Sequence, residues 1–233
     1  MDLKRLLLIF PVLFLLVYFG AGIFYVPEYV IFIKPFIIPS FMVYAMANNF
    51  DKISLKFYFF ALFFYIGEIL VLVDYNDISI MRFALLSYLF CYISLILLGY
   101  ENLIKIKKIK CLSGLTLIIF ILNIFFLLCI LYIILNSIED FLTIIIIVLN
   151  TISAVLLGVF AVLILGESNK KIAFFYFFGS CALIINDVFS ALETYYLESV
   201  ILNTIERLLH FGAFFLFYMF VINDQKTNLK NIK

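Results

Sequence analysis

The sequence of 233 residues predicts an all-α fold, a polytopic membrane helix bundle of eight transmembrane helices with both termini cytoplasmic. Three observations carry this expectation. Hydrophobic residues make up 67% of the chain, against about 45–50% in soluble domains. They gather into eight runs, each near the length of about 20 residues that a helix needs to cross a hydrocarbon core of about 30 Å. The connectors alternate in charge. One set of ends carries Lys4 and Arg5; Lys52 and Lys56; Lys105, Lys107, Lys108 and Lys110; Lys170 and Lys171; then Lys226, Lys230 and Lys233. The other set carries only Arg82 and Arg207, against Glu28, Asp74, Asp77, Glu139, Asp140, Glu193 and Glu198. An excess of Lys and Arg marks the cytoplasmic face, and adding or removing one helix would scramble the alternation. Helices are the expected form because backbone groups left unbonded in lipid cost several kcal/mol each.

The first span, Leu6–Val26, is too long for the apolar region of a signal peptide, and Gly20-Ala21-Gly22 lies inside continuing apolar sequence. The second, Tyr29–Ala47, holds Lys34 beside Pro35 and Pro39, which remove backbone donors and predict a kink. The third, Phe57–Val73, carries Gly67-Glu68, and the fourth, Ile80–Gly99, carries Tyr88 and Tyr92. The Lys105–Lys110 connector is the widest polar gap and divides two four-helix halves. The fifth and sixth spans, Leu112–Leu135 and Phe141–Leu165, contain Asn123 and Asn150, amides expected to bond across helices. The seventh, Ile172–Leu192, carries Asn186-Asp187, with Ser190 and Thr194 on the same face as the aspartate.

In the eighth span, Val200–Ile222, Asn203, Glu206, Arg207 and His210 fall at i, i+3, i+4 and i+7 and form one polar stripe. Such a stripe faces the bundle interior or a wet cavity, because lipid cannot solvate it. Glu206 is spaced to pair with His210 one turn on. Residues 1–223 thus read as one integral membrane domain and residues 224–233 as a short basic cytoplasmic tail. The net charge of +1 gives no reason to expect nucleic acid, since topology explains the lysine clusters. Cys91, Cys111, Cys129 and Cys181 show no paired spacing, so neither a metal nor a disulfide is expected, and no cofactor is called for.

Counted from the outer end of each span, Lys34, Glu68, Asp187 and Glu206 all lie about five or six residues in, near 8–9 Å of depth at about 1.5 Å per residue. With Arg207, His210 and Asn186 beside them, they describe a polar chamber open toward the outer leaflet. The inner half of the bundle has almost no ionisable residue.

Lys34-Pro35 with Pro39, the run Ala61–Glu68 ending in Gly67-Glu68, and Gly179–Asp187 together resemble the YhhN family of small multi-span proteins. The order of these elements fits along nearly the whole chain. The family's Gly-Asp appears as Gly67-Glu68, and its Ser-Asp as Asn186-Asp187. A fourth-span histidine is absent from Met81–Tyr100, where Tyr88 or Tyr92 stands nearby. Arg207 or His210 occupies the neighbourhood of the family's eighth-span Tyr and Gln. Characterised relatives in that family are lysoplasmalogenases, so the resemblance implies cleavage of the vinyl ether bond of a lysoplasmalogen to a fatty aldehyde and a glycerophospho-alcohol.

That chemistry needs one carboxyl group to protonate the β-carbon and a second to stabilise the oxocarbenium-like cation and direct water, as in glycoside hydrolysis. Glu68 is expected as the donor and Asp187 as the ionised partner, with the two roles exchangeable. Lys34 and Arg207 suit the substrate phosphate, and His210, Glu206 and Asn186 complete the binding set. The expected partners are a lysophospholipid substrate and membrane lipids, in a bacterial inner (plasma) membrane. A small-solute or proton transporter could use the same residues, with a helix broken at Pro35 and Pro39, but no ionisable path crosses the inner half. A non-enzymatic lipid-binding or membrane assembly protein is the other alternative, favoured by the missing histidine.

Overall fold

The protein's structure, a computed structural model, describes residues 3–23, 27–49, 53–73, 77–104, 114–136, 138–166, 170–195 and 200–231. The Lys105–Lys110 connector and the side chains of Asn123, Thr194 and Asn203 lie outside the described residues. Among the described residues all regular structure is helical: α1 Leu3–Ile23, α2 Pro27–Asn49, α3 Leu55–Val73, α4 Ile78–Ile104, α5 Gly114–Leu135, α6 Phe141–Leu165, α7 Lys170–Tyr195 and α8 Val200–Asn231. By length and composition, five of these are able to cross a membrane: α3, α4, α6, most of α7, and Thr204–Asp224 of α8. The protein is a helical membrane protein.

Polar side chains set several helix starts. Ser54 Oγ accepts from the Phe57 amide at 3.3 Å, Asp77 from that of Ser79 at 2.7 Å, and Asp140 from that of Thr143 at 2.7 Å. Each supplies an acceptor to a donor that the first turn leaves unpaired. Two elements differ from expectation. The helix α2 runs on through Pro35 and Pro39, so the break that a transporter would place there does not occur. The helix α8 continues past Ile222 to Asn231, because the polar tail contains neither glycine nor proline to end it.

Packing follows chain order with one exception. Neighbours touch from α1 to α4; α4 then packs on α6, followed by α7 and α8, and α8 returns to α1. The helix α5 sits outside this ring against α6 and α7. Both faces of most helices are apolar, so the buried faces are distinguished by fit. On α3, Phe57, Phe60, Ala61, Phe64 and Gly67 are buried, whereas Leu55, Phe59, Leu62 and Ile66 are exposed, as a lipid-facing surface would be.

The core is a ladder of aromatic rings between α3 and α8. Phe60 meets Phe214 and Phe217 at centroid distances of 5.6 Å, and Phe64 meets Phe214 at 5.7 Å. Offset and edge contacts at such distances stabilise by about 0.5–1.5 kcal/mol each beyond the area they bury. The last rung is the one that positions chemistry: His210 stacks on Phe64 at 4.3 Å.

Candidate functional site

Beyond that rung the core turns polar. Glu68 follows Gly67 on α3 and is 4% exposed. Lys34 of α2 places Nζ 2.6 Å from Glu68 Oε2, and His210 of α8 places Nε2 3.0 Å from Glu68 Oε1. Neither contact is aligned as a hydrogen bond. Tyr88 of α4 donates its hydroxyl proton to Glu68 Oε1 at 2.7 Å. The preceding glycine is what admits that tyrosine: a Cβ at position 67 would stand 2.9 Å from Tyr88 Cε1. Gly67-Glu68 is therefore one device, a gap for the ring followed by an acceptor for its hydroxyl.

One turn further along α4, Tyr92 donates to Asp187 Oδ2 on α7. Asn186, next to Asp187, is buried, and its Nδ2 lies 3.3 Å from His210 Nδ1. With the Asn186 amide donating to Nδ1, the ring proton sits on Nε2 and faces Glu68. His210 thus bridges α7 to α3, while Tyr88 and Tyr92 tie α4 to the two carboxylates.

These groups line one wall of a cavity of about 330 Å³. Lys34, Glu68, Asn186, Asp187, Glu206 and His210 all border it, with Tyr88 and Tyr92. Its other walls come largely from α5 and α6 and are mostly apolar, including Leu127, Leu131, Ile134, Ile147 and Ala154, with Asn150 and Thr151 as polar exceptions. Asp187 remains exposed within this space, whereas Glu68 is closed off by Lys34, His210 and Tyr88. A cavity of this size, apolar on one side and polar on the other, fits an amphiphile.

The shared depth of Lys34, Glu68, Asp187 and Glu206 therefore corresponds to a shared cavity. Two placements differ from expectation. His210 pairs with Glu68 and Asn186 rather than with Glu206 one turn away. Arg207 does not border the cavity; its guanidinium lies 4.7 Å above the ring of Tyr18 on α1. Neighbours on a helix point about 100° apart, and here Glu206 takes the chamber side while Arg207 turns toward α1. Asn150 bonds across helices as expected, donating to the Leu85 carbonyl at 2.9 Å.

Sequence reasoning did not foresee that Tyr88 and Tyr92 bind the two carboxylates. Their i, i+4 spacing in a span with few other polar groups was the available signal.

Outside the chamber, Arg82 of α4 forms a two-point pair with Asp140 ahead of α6, Nη2–Oδ1 at 2.7 Å and Nε–Oδ2 at 3.2 Å. Hydrogen bonds from Thr143, with Arg82 adding to them, hold the Asp140 carboxyl below its ordinary value. Arg82, one of the two cations among the acidic ends, is matched by one of those acids.

Compared with known proteins, the chain matches no family model, and no curated protein or solved structure is significantly similar to it.

Proposed function

We propose that the chamber is the active site of a membrane-embedded hydrolase that cleaves the vinyl ether bond of a lysophospholipid of the lysoplasmalogen type. On this reading all eight helices cross a bacterial plasma membrane, both termini are cytoplasmic, and the chamber opens toward the outer leaflet. One observation carries the proposal: two carboxylates in unlike surroundings, Glu68 and Asp187, border one cavity whose remaining walls are mostly apolar. The apolar side takes the chain of the substrate, and the polar side takes the ether.

The neighbours exchange the roles expected from sequence. Lys34, His210 and Tyr88 surround Glu68, a setting suited to a permanent negative charge. Asp187 faces the cavity with Tyr92 as its partner and has no ion pair among the described residues. Asp187 is therefore the proton donor and Glu68 the charge that stabilises the cation. Asp187 gives its proton to the β-carbon, and the vinyl double bond shifts to form the oxocarbenium. Water adds to the α-carbon and returns a proton to Asp187. The hemiacetal then breaks its bond to the glycerol oxygen as its hydroxyl proton passes to that oxygen, releasing the aldehyde and the glycerophospho-alcohol. Overall one water is consumed.

The test is aldehyde release from lysoplasmalogen by protein purified in detergent, with the saturated alkyl ether as the uncleaved control. Asp187→Asn and Glu68→Gln keep volume and hydrogen bonding, and each is expected to lower the rate by about 100- to 10,000-fold. Parent-like rates in both variants refute the pair. A parent that binds the lysolipid and releases no aldehyde favours the non-enzymatic lipid-binding reading, which the enclosure of Glu68 by Lys34, His210 and Tyr88 also fits.

A further inference from the structure

Arg207 is left without a role by the chamber, and its surroundings point elsewhere. It sits within the membrane-spanning part of α8, its Nη1 is buried without a hydrogen-bond partner, and its described contact is with the face of Tyr18. A guanidinium at membrane depth requires an anion or a set of acceptors to offset its lost hydration. Among the described residues no carboxylate lies within ion-pair distance of it.

Beside it begins a second cavity of about 280 Å³, separate from the chamber and walled by α1, α2 and α8. Its lining includes Pro11, Leu15, Ile38, Phe41, Phe211 and Gly212, and its walls are apolar. Position 212 is the low point of the wall, since a Cβ there would meet nothing within 4 Å. The groove starts one residue past Arg207, at Leu208, and extends along α8 to Phe215. Eight residues of helix from Arg207 to Phe215 span about 12 Å. Tyr18, beneath the guanidinium, packs edge-on to Phe211 at 5.5 Å and so joins the charged end to the apolar channel.

We infer that this groove is a binding site for an anionic phospholipid, with one acyl chain in the α1–α2–α8 channel and the phosphate on Arg207. The planar fork of arginine matches a phosphate in two-point geometry. Zwitterionic lipids carry the same phosphate together with an ammonium that offsets its charge, so preference for net negative headgroups is the signature. The site is independent of the chamber and of the reaction proposed for it.

The experiment measures lipid retention by native mass spectrometry of the purified full chain, offered phosphatidylglycerol, phosphatidylcholine or inorganic phosphate. The parent is expected to hold phosphatidylglycerol more tightly than phosphatidylcholine and to show no saturable binding of phosphate alone. Arg207→Gln is expected to weaken phosphatidylglycerol by about tenfold or more, the value of a charge-assisted contact, and to weaken phosphatidylcholine less, so that the preference between the two disappears. Gly212→Leu, which fills the channel, is expected to weaken both. Equal retention of the two lipids by the parent, a preference that survives Arg207→Gln, or saturable binding of inorganic phosphate overturns the inference. Where a variant does not fold, a phosphatidylglycerol with a photoreactive acyl chain is used on the parent. Labelling of α1, α2 and α8 residues bordering the channel is expected, and labelling confined to other helices overturns the proposal.

Discussion

Replacing Lys34 with methionine would leave the Glu68 carboxylate in place and remove the cation 2.6 Å from it. At that separation, and an effective dielectric constant of about 20, the attraction is about 6 kcal/mol. Side-chain exposures of 16% for Lys34 and 5% for Glu68 mean that both groups have lost most of their water. The desolvation cost offsets much of the attraction, so the pair itself contributes little net stability, but breaking it strands a charge at a cost of about 3–5 kcal/mol. Tyr88 and His210 stay on the carboxylate and bring the expected loss for Lys34→Met to the lower end of that range. Glu68→Gln alone strands the lysine instead. The double variant Lys34→Met/Glu68→Gln strands neither, so it should be more stable than the two single losses predict, by about 1–3 kcal/mol. Denaturant titration in mixed micelles, followed by tyrosine fluorescence, measures all four corners of the cycle. A coupling energy below about 0.5 kcal/mol, the level of an exposed pair, would refute the reasoning.

Three further outcomes follow from local geometry. Gly67→Ala pushes a methyl to 2.9 Å from the Tyr88 ring and should destabilise by about 1–3 kcal/mol. Combining it with Tyr88→Leu should recover part of that loss, and additive losses in the same unfolding assay would count against the gap-and-acceptor account. At the Arg82–Asp140 clasp, the Asp140 carboxyl is depressed by Thr143 and Arg82. Its stabilising effect should therefore be full above the unfolded value near 4 and vanish as pH falls through the lower folded value. The stability gap between the parent and Asp140→Asn should narrow between neutral pH and pH 3, and a constant gap would be the contrary result. For topology, single cysteines at positions 77 and 140 in a cysteine-free background should react with an impermeant thiol reagent in intact cells, and one at position 107 should not. Labelling at 107 would overturn the orientation.

Much of this architecture was legible before any coordinates. Hydropathy placed the eight described helices, because the length of an apolar run needs no knowledge of partners. Depth counting gathered Lys34, Glu68, Asp187 and Glu206, since residues at one level of a bundle are brought together if they face inward. What depth cannot supply is azimuth. Glu206 and Arg207 share a level, yet Glu206 borders the chamber and Arg207 lies over Tyr18, and His210 reaches across to α3 and α7 instead of along its own helix. With both faces of most spans apolar, periodicity carries little information about which side is buried. The aromatic ladder that aims His210 rests on ring-to-ring fit, which no pattern of polar and apolar residues records.

Tyr88 and Tyr92 reach two different acids from a single helix, and this has a mechanical result. The two hydroxyls are carried by one rigid body, so a roll of α4 about its own axis moves them together. A group about 6 Å from a helix axis shifts by about 2 Å for a roll of about 20°, enough to break a hydrogen bond of 2.7 Å such as that from Tyr88 to Glu68. Glu68 and Asp187 would lose their donors in the same motion. The chamber's two carboxylates thus share one rotational coordinate, and whatever turns α4 retunes both at once.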